Sequence, residues 1–304
     1  SRYGKGTHIR NLLEGIREGE KVVSILPLDR ELIQNPEGHY IIFATSQGRI
    51  KRSHLSDYVK INRNGKYALK FAKDSDSLVQ VRPATEEDHV VLVSSMGYAC
   101  RFLPSEAKTR VDAATGESVT THTVRVQGRV SQGVAGMKLQ SGDRVVGMIV
   151  TDDFDTSVLT ISKHGMAKRS RLGSGSMVEI KLEDGTTAKG DDGEPLMERD
   201  GYRKTNRGTK GVRTMALSAG DSIIGVRQIP DLSDQLFMLT DKGMMIRMPA
   251  TQTKETLGKV TKGTRIMELR TKDKKSYADE IVFVARLPSD LVERGDVESE
   301  GEEE

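Results

Sequence analysis

The chain has 304 residues, 36% hydrophobic and 4% aromatic, with 30 glycines and no tryptophan, so one large or two ordinary domains must build a core from Val, Ile, Leu, Met and Ala. No run approaches the ~18 uncharged apolar residues of a membrane-spanning helix, and the start, Ser1-Arg2-Tyr3-Gly4-Lys5-Gly6, has no apolar stretch of the signal-peptide kind. The net charge of +3 is segregated: residues 290–304 hold eight acids against Arg294, a net −7 that leaves +10 on the remainder, and 179–200 is a second acidic stretch.

Taken in chain order, one sentence of sequence repeats. Residues 1–28 read as the end of a truncated unit, with Gly4-Lys5-Gly6 through Leu13 and then the apolar strand Glu20–Ile25. The missing initiator Met suggests a piece of a longer chain. Residues 29–289 then hold four full units. Each opens with an apolar run, a short polar turn ending in Gly, and a strand ending in basic residues, near 40–52, 90–101, 157–169 and 235–247. Gly48, Gly97, Gly165 and Gly243 stand where a tight hairpin needs positive φ. A second phrase follows, Gly and then a short alternating strand, beginning at Gly65, Gly133, Gly211 and Gly263. The third phrase is an acid and an apolar strand, as at Asp143, Asp221 and Glu280.

Each unit supplies about four strands. The opening strand is apolar on successive residues, which marks a strand buried on both faces. Four-stranded sheets with two buried faces must stack on one another, and blades do this while leaving short edges. The fold expected is therefore all-β, a propeller-like array of about five blades or blade parts. Unequal spacing of the hairpin glycines is absorbed by inserts at 105–128 and 173–202; the second, rich in Gly and acid, reads as a mobile loop. The last residues, 290–304, read as a disordered acidic tail.

A basic body with an acidic tail favours a polyanionic partner over scattered surface charge. Lys51, Arg52, Arg101, Lys168, Arg169 and Arg247 recur at the end of the second hairpin strand, equivalent points of each unit, and are the main candidates to touch phosphates. The plainer alternative is that a base ending a strand solvates an edge and deters aggregation. Arg207, Lys210 and Arg213 form a second group, in which Gly208 and Gly211 would let backbone amides approach a phosphate. Lys5 and Arg10 belong to the same kind. No Walker motif, metal-ligand spacing or catalytic constellation is found, and the six histidines are scattered. Cys100, the only cysteine, reads as a packing residue and fits a reducing compartment.

The repeated phrases resemble the C-terminal repeats of the DNA gyrase A subunit, from residue 1 to about 289. The resemblance implies a β-pinwheel, a propeller variant whose neighbouring blades exchange strands and whose positive rim wraps duplex DNA without reading its sequence. It implies service in ATP-dependent negative supercoiling, in the bacterial cytoplasm at the nucleoid. The implied partners are double-stranded DNA, the rest of the gyrase A subunit, and the gyrase B subunit in an A2B2 complex. Mg2+ and ATP would act elsewhere in the holoenzyme, with no cofactor and no catalytic residue in this part. The acidic stretch from Glu298 to Glu304 resembles the family's modulatory tail. The family's box, Gln-Arg-Arg-Gly-Gly-Lys-Gly, is not intact; the nearest matches are Asn206–Gly211 and the chain start. That departure keeps the corresponding part of topoisomerase IV, a decatenating relative, as the alternative. A propeller acting as a protein-interaction scaffold is the other; it is less favoured because such surfaces use aromatic anchors and this chain has few.

Overall fold

The computed structural model describes residues 19–290, apart from 63–64, 112–115, 117, 183, 257–260, 272 and 274–275, together with Thr7, Asn11 and Ile16. In chain order the strands are β1 (Tyr40–Thr45), β2 (Arg49–His54), β3 (Leu78–Ala84), β4 (His89–Ser94), β5 (Tyr98–Phe102), β6 (Ala107–Val111) and β7 (Ser118–His122). They continue with β8 (Val134–Ala135), β9 (Val145–Thr151), β10 (Ser157–Ser162), β11 (Met166–Arg171), β12 (Met177–Glu179) and β13 (Met197–Arg199). The last are β14 (Val212–Arg213), β15 (Ile223–Ile229), β16 (Gln235–Thr240), β17 (Met245–Pro249), β18 (Thr264–Arg265) and β19 (Ile281–Leu287). No helix among the described residues is long and apolar enough to cross a membrane.

The chain divides into two compact units, one of residues 1–88 and 103–136, the other of 89–102 and 137–304. The first unit holds the sheet β3-β1-β2-β8 and the ribbon β6-β7. Ile41, Phe43 and Leu55 form its core, against which Leu26, Leu28, Leu32 and Tyr58 pack. The second unit holds β14-β5-β4-β9, β15-β10-β11-β18, the three-stranded β17-β16-β19, and the ribbon β12-β13. Its core lies in two layers. Val91, Val93, Ile149, Val158 and Val226 fill one, and Leu159, Ile161, Leu236, Met238 and Val284 fill the next. Each such side chain contributes roughly 1.5–3 kcal/mol by leaving water. Gly147 sets one spacing: a Cβ there would lie 2.4 Å from Val226 Cγ1.

All four hairpins form, and Gly48, Gly97, Gly165 and Gly243 all have φ between 77° and 82°. The three opening strands β1, β4 and β10 are buried at every residue, as their unbroken apolar runs require. In the fourth, β16, burial alternates instead.

Strands are exchanged between units of sequence. The third phrase returns to its own hairpin (β3 on β1, β9 on β4, β15 on β10, β19 on β16). The second phrase instead joins the hairpin of the preceding unit: β8 on β2, β14 on β5, β18 on β11. Two expected strands do not form. Glu20–Ile25 and Gly65–Phe71 are irregular, because no hairpin of theirs lies among the described residues. The acid opening each third phrase caps the neighbouring hairpin turn. Asp143 Oδ1 accepts from Ser95 Oγ at 2.8 Å and from the amides of Met96 and Arg144. Asp76 and Asp221 repeat the pattern. In the last unit the capping acid is Asp279, one residue before the Glu280 singled out by sequence.

Candidate nucleic-acid interface

Five of the six recurring bases of the hairpins are not on the surface. Lys51, Arg52, Arg101, Lys168 and Arg169 are between 0 and 8% exposed. This corrects the expectation of a basic rim built from them, and the cause is the segment that leads into each exchanged strand. The second strand of each of the first three hairpins is an inner strand of its sheet. The exchanged strand pairs with its start, and the segment leading into that strand covers its end: Gln127 N donates to Arg52 O, Thr205 N to Arg101 O and Thr256 N to Arg169 O, so side chains there point into protein.

Each base finds partners there, although Arg52 Nε and Arg101 Nη2 are left without a hydrogen bond among the described residues. Lys51 Nζ donates to the carbonyls of Ala68 and Arg129, each at 2.6 Å, and burial pulls its pKa down to about 8. Lys168 Nζ donates to Thr214 O at 2.7 Å. Arg52 pairs with Glu86 at 2.7 Å and lies 3.7 Å from the Tyr40 ring centre. Arg169 pairs with Glu255 at 2.7 Å and donates to Thr253 O. Arg101 donates through Nη1 to the carbonyls of Leu172, Gly173 and Tyr202, at 2.7–3.1 Å, and burial lowers its pKa to about 10. Those carbonyls form the neck of the 173–202 insert. The neck is tight: a Cβ on Gly201 would lie 2.2 Å from Leu172 O, and one on Gly173 2.4 Å from Asp200 O. The insert, expected as a loop, carries the ribbon β12-β13 on a clamped base.

Arg247 differs from its counterparts. It is exposed and bonds Gln235 across the hairpin, on β17, which has no exchanged strand among the described residues. Lys5, Arg10 and the tail 290–304 lie outside the described residues, apart from Asp290.

The second group is where the surface charge gathers. Arg203, Lys204, Arg207, Lys210 and Arg213 are all exposed, and no acid lies between 203 and 213. Arg203, Lys204, Asn206, Thr209, Lys210 and Gly211 line a shallow groove of about 460 Å3. Backbone and side-chain bonds fix the segment: Thr205 N donates to Arg101 O at 2.6 Å, and Cys100 Sγ lies 3.0 Å from Thr205 Oγ1. Gly211, with φ +80°, is needed because a Cβ there would lie 2.0 Å from Ala99 O. The close approach expected of it toward a phosphate is made to β5 instead. Tyr98, paired with Arg213 in the ladder, organises two of the cations. Its hydroxyl accepts from Arg213 Nη2 at 2.9 Å, and Lys210 Nζ stands 4.2 Å from its ring centre. The Lys210 hydrogen bond, helped by both positive charges, holds the phenol below its usual pKa. Arg203 and Lys204 were missed by reasoning from repeat position. The signal was present as local density, five bases in eleven residues with no acid. Lys262, at the place in its unit that Lys210 holds in the one before, is exposed as well.

Sheets that complete one another by trading edge strands, with surface charge gathered on the exchanged segments, define a propeller-type repeat module. The chain belongs to the family described as the DNA gyrase C-terminal domain, beta-propeller, whose model matches residues 1–29, 39–85, 118–152, 156–174, 197–230 and 234–287. It is similar to the DNA gyrase A subunit of Staphylococcus epidermidis, 29% identical over 270 residues that make 88% of this chain and 25% of that protein. The Staphylococcus aureus counterpart is 27% identical over the same spans. The chain thus spans about a quarter of the length of these relatives. In fold it resembles the C-terminal domain of DNA topoisomerase IV, with a TM-score of 0.70 and 19% identity, over 98% of this chain and 76% of that one. It also resembles the C-terminal domain of DNA gyrase A, with a TM-score of 0.57 and 20% identity, over 83% and 67%.

Proposed function

We propose that the chain binds duplex DNA through the 203–213 strip, as the C-terminal domain of the DNA-cleaving chain of a type IIA topoisomerase. The observation that carries this reading is the strip itself. Five exposed cations and an ordered groove sit on a family scaffold, while the other repeated bases, Arg247 excepted, are buried. Phosphates need point charges at intervals, and the five cations of the strip supply them.

Bending and wrapping of the bound duplex, in support of ATP-dependent supercoiling within an A2B2 assembly with the gyrase B subunit in the bacterial cytoplasm, is the fuller form of the proposal. Decatenation as part of topoisomerase IV is its alternative. Membership in the gyrase family model favours the former; the absence of an intact box in the sequence keeps the latter. Binding of two unrelated duplexes should be measured across a range of salt. If the five cations each neutralise one phosphate, log affinity should fall against log salt with a slope of roughly −4 to −5. A flat profile, or strong preference for one sequence, would refute the reading. End-to-end fluorescence transfer on duplexes of increasing length tests bending: unchanged distances at every length would refute wrapping.

A further inference from the structure

A walled space lies beside the strip, within the second unit, and is separate from the groove. It measures about 330 Å3 and is bounded by the end of β11, the insert strands β12 and β13, β14, and the turn at Glu255-Thr256. That is the lower end of the roughly 300–1,000 Å3 of small-molecule pockets.

Its charges are unevenly matched. Among the lining carboxylates, Glu255 is taken by Arg169 at 2.7 Å. Asp200 accepts from Ser174 N at 2.7 Å and faces Arg171 at 3.6 Å, and the Ser174 amide holds its pKa below the usual range. Two lining arginines have neutral partners instead: Arg199 Nη1 donates to Gly175 O at 2.6 Å, and Arg213 Nη2 to the Tyr98 hydroxyl. No carboxylate lies within ion-pair distance of either among the described residues. The buried Lys168 also lines the wall, with its ammonium already bonded to Thr214 O. Glu198 is the remaining acid. A walled space with surplus positive charge lowers the free energy of a bound anion more than open surface does, because screening by water and salt is weaker there. Val178 and the buried Tyr202 supply apolar wall for the rest of such a molecule. The insert creates this space, since β12 and β13 form two of its sides and the Arg101 clamp holds them in place.

We propose that this space binds a small organic anion, a phosphate ester of about nucleoside monophosphate size, with its acid group at Arg199 and Arg213. The site shares Arg213 with the strip but lies outside the groove, and the proposal does not depend on the DNA reading.

The test uses the whole chain titrated with adenosine monophosphate, inorganic pyrophosphate and citrate, followed by calorimetry. The variants are Arg199→Ala, which removes a cation, and Val178→Trp, which fills the space. Arg207→Ala/Lys204→Ala lies on the strip and serves as the contrast. We expect saturable one-to-one binding of at least adenosine monophosphate. Its Kd should rise about tenfold or more in both cavity variants, a loss of about 1.4 kcal/mol or more, and stay unchanged in the strip variant. Should Arg199→Ala not fold, Val178→Trp carries the test alone, because it adds bulk without removing a bond. Absence of saturable binding by any of the three probes would overturn the proposal. So would binding that survives both cavity variants, or that disappears in the strip variant and so belongs to the DNA groove. Duplex binding measured on the same variants reports separately on the DNA reading.

Discussion

The basic residues of the hairpins and those of the 203–213 strip have the same chemistry and opposite fates. Arg101 lies in β5 and Arg213 in β14, paired in one sheet. One is 1% exposed and holds three carbonyls; the other is exposed and shares Tyr98 with Lys210. Arg101 lies near the end of a hairpin strand, while Arg213 belongs to the exchanged strand itself. What separates them is whether chain from the next unit is laid over the residue, as the segment around Thr205 is over Arg101. Regular recurrence of a charged residue in a repeat protein is therefore as good a sign of a structural clasp as of a binding surface.

The greatest loss is expected at Arg101. Replacing it with Ala leaves the insert neck without its donor, and should lower stability by about 3 kcal/mol or more, as for other buried charged networks. Denaturant melts measure this, and a loss under about 1 kcal/mol would show the clamp to be ornamental. The next largest effect belongs to backbone contact. Gly211→Ala drives a Cβ onto Ala99 O at a positive φ and should cost about 2–3 kcal/mol. Gly243→Ala has a similar φ but nothing within 4 Å, and should cost about 1 kcal/mol. Equal losses at the two glycines would mean that φ alone, and not the exchanged strand, sets the requirement.

On the strip the signs reverse. Arg207→Ala/Lys210→Ala should leave stability within about 0.5 kcal/mol. It should reduce the salt slope of DNA binding by about 2, one for each phosphate that is no longer neutralised. An unchanged slope would move the interface elsewhere. The smallest effect is one of pH. His89 is buried against Phe154, and its Nδ1 accepts from Arg101 Nε at 3.3 Å. Burial, then the Arg101 charge, lowers its pKa to about 4 from 6.5. The unfolded chain thus binds a proton more readily between those values. The stability His89 preserves is complete above about pH 6.5 and lost as pH falls to about 4. His89→Gln should flatten that part of the stability profile relative to the native chain; an identical profile would assign the acid sensitivity to other groups.

Much of the fold was legible because local rules and tertiary structure agree. The hairpin glycines have the positive φ that their turns require, and the unbroken apolar runs at 40–45, 89–94 and 157–162 are buried at every residue. Exchange of strands was foreseen only through the family resemblance, since a two-residue strand such as Val134–Ala135 carries no periodicity of its own. The site was less legible for the same reason. Burial of Lys51 or Arg169 depends on a partner segment far along the chain, and nothing near either residue announces it. The capping aspartates show a subtler limit. Asp143 and Asp221 were marked as openings of strands, while the bonds they make close turns some fifty residues earlier. The strip needed no long-range knowledge, only a count of charge per residue, and Arg203 and Lys204 were visible by that measure.

The trading of edge strands also has a vectorial meaning. A chain made from its N-terminus has β4 and β5 long before it has β14, which completes their sheet from residues 212–213. Until then the outer edge of β5 has open backbone groups, and Arg101 lacks the neck carbonyls of residues 172, 173 and 202 that it will hold. The array must close one step behind its own synthesis, each sheet waiting for the unit after it. An interruption between units therefore leaves the last finished hairpin with a bare edge, the kind of surface that pairs with the wrong chain.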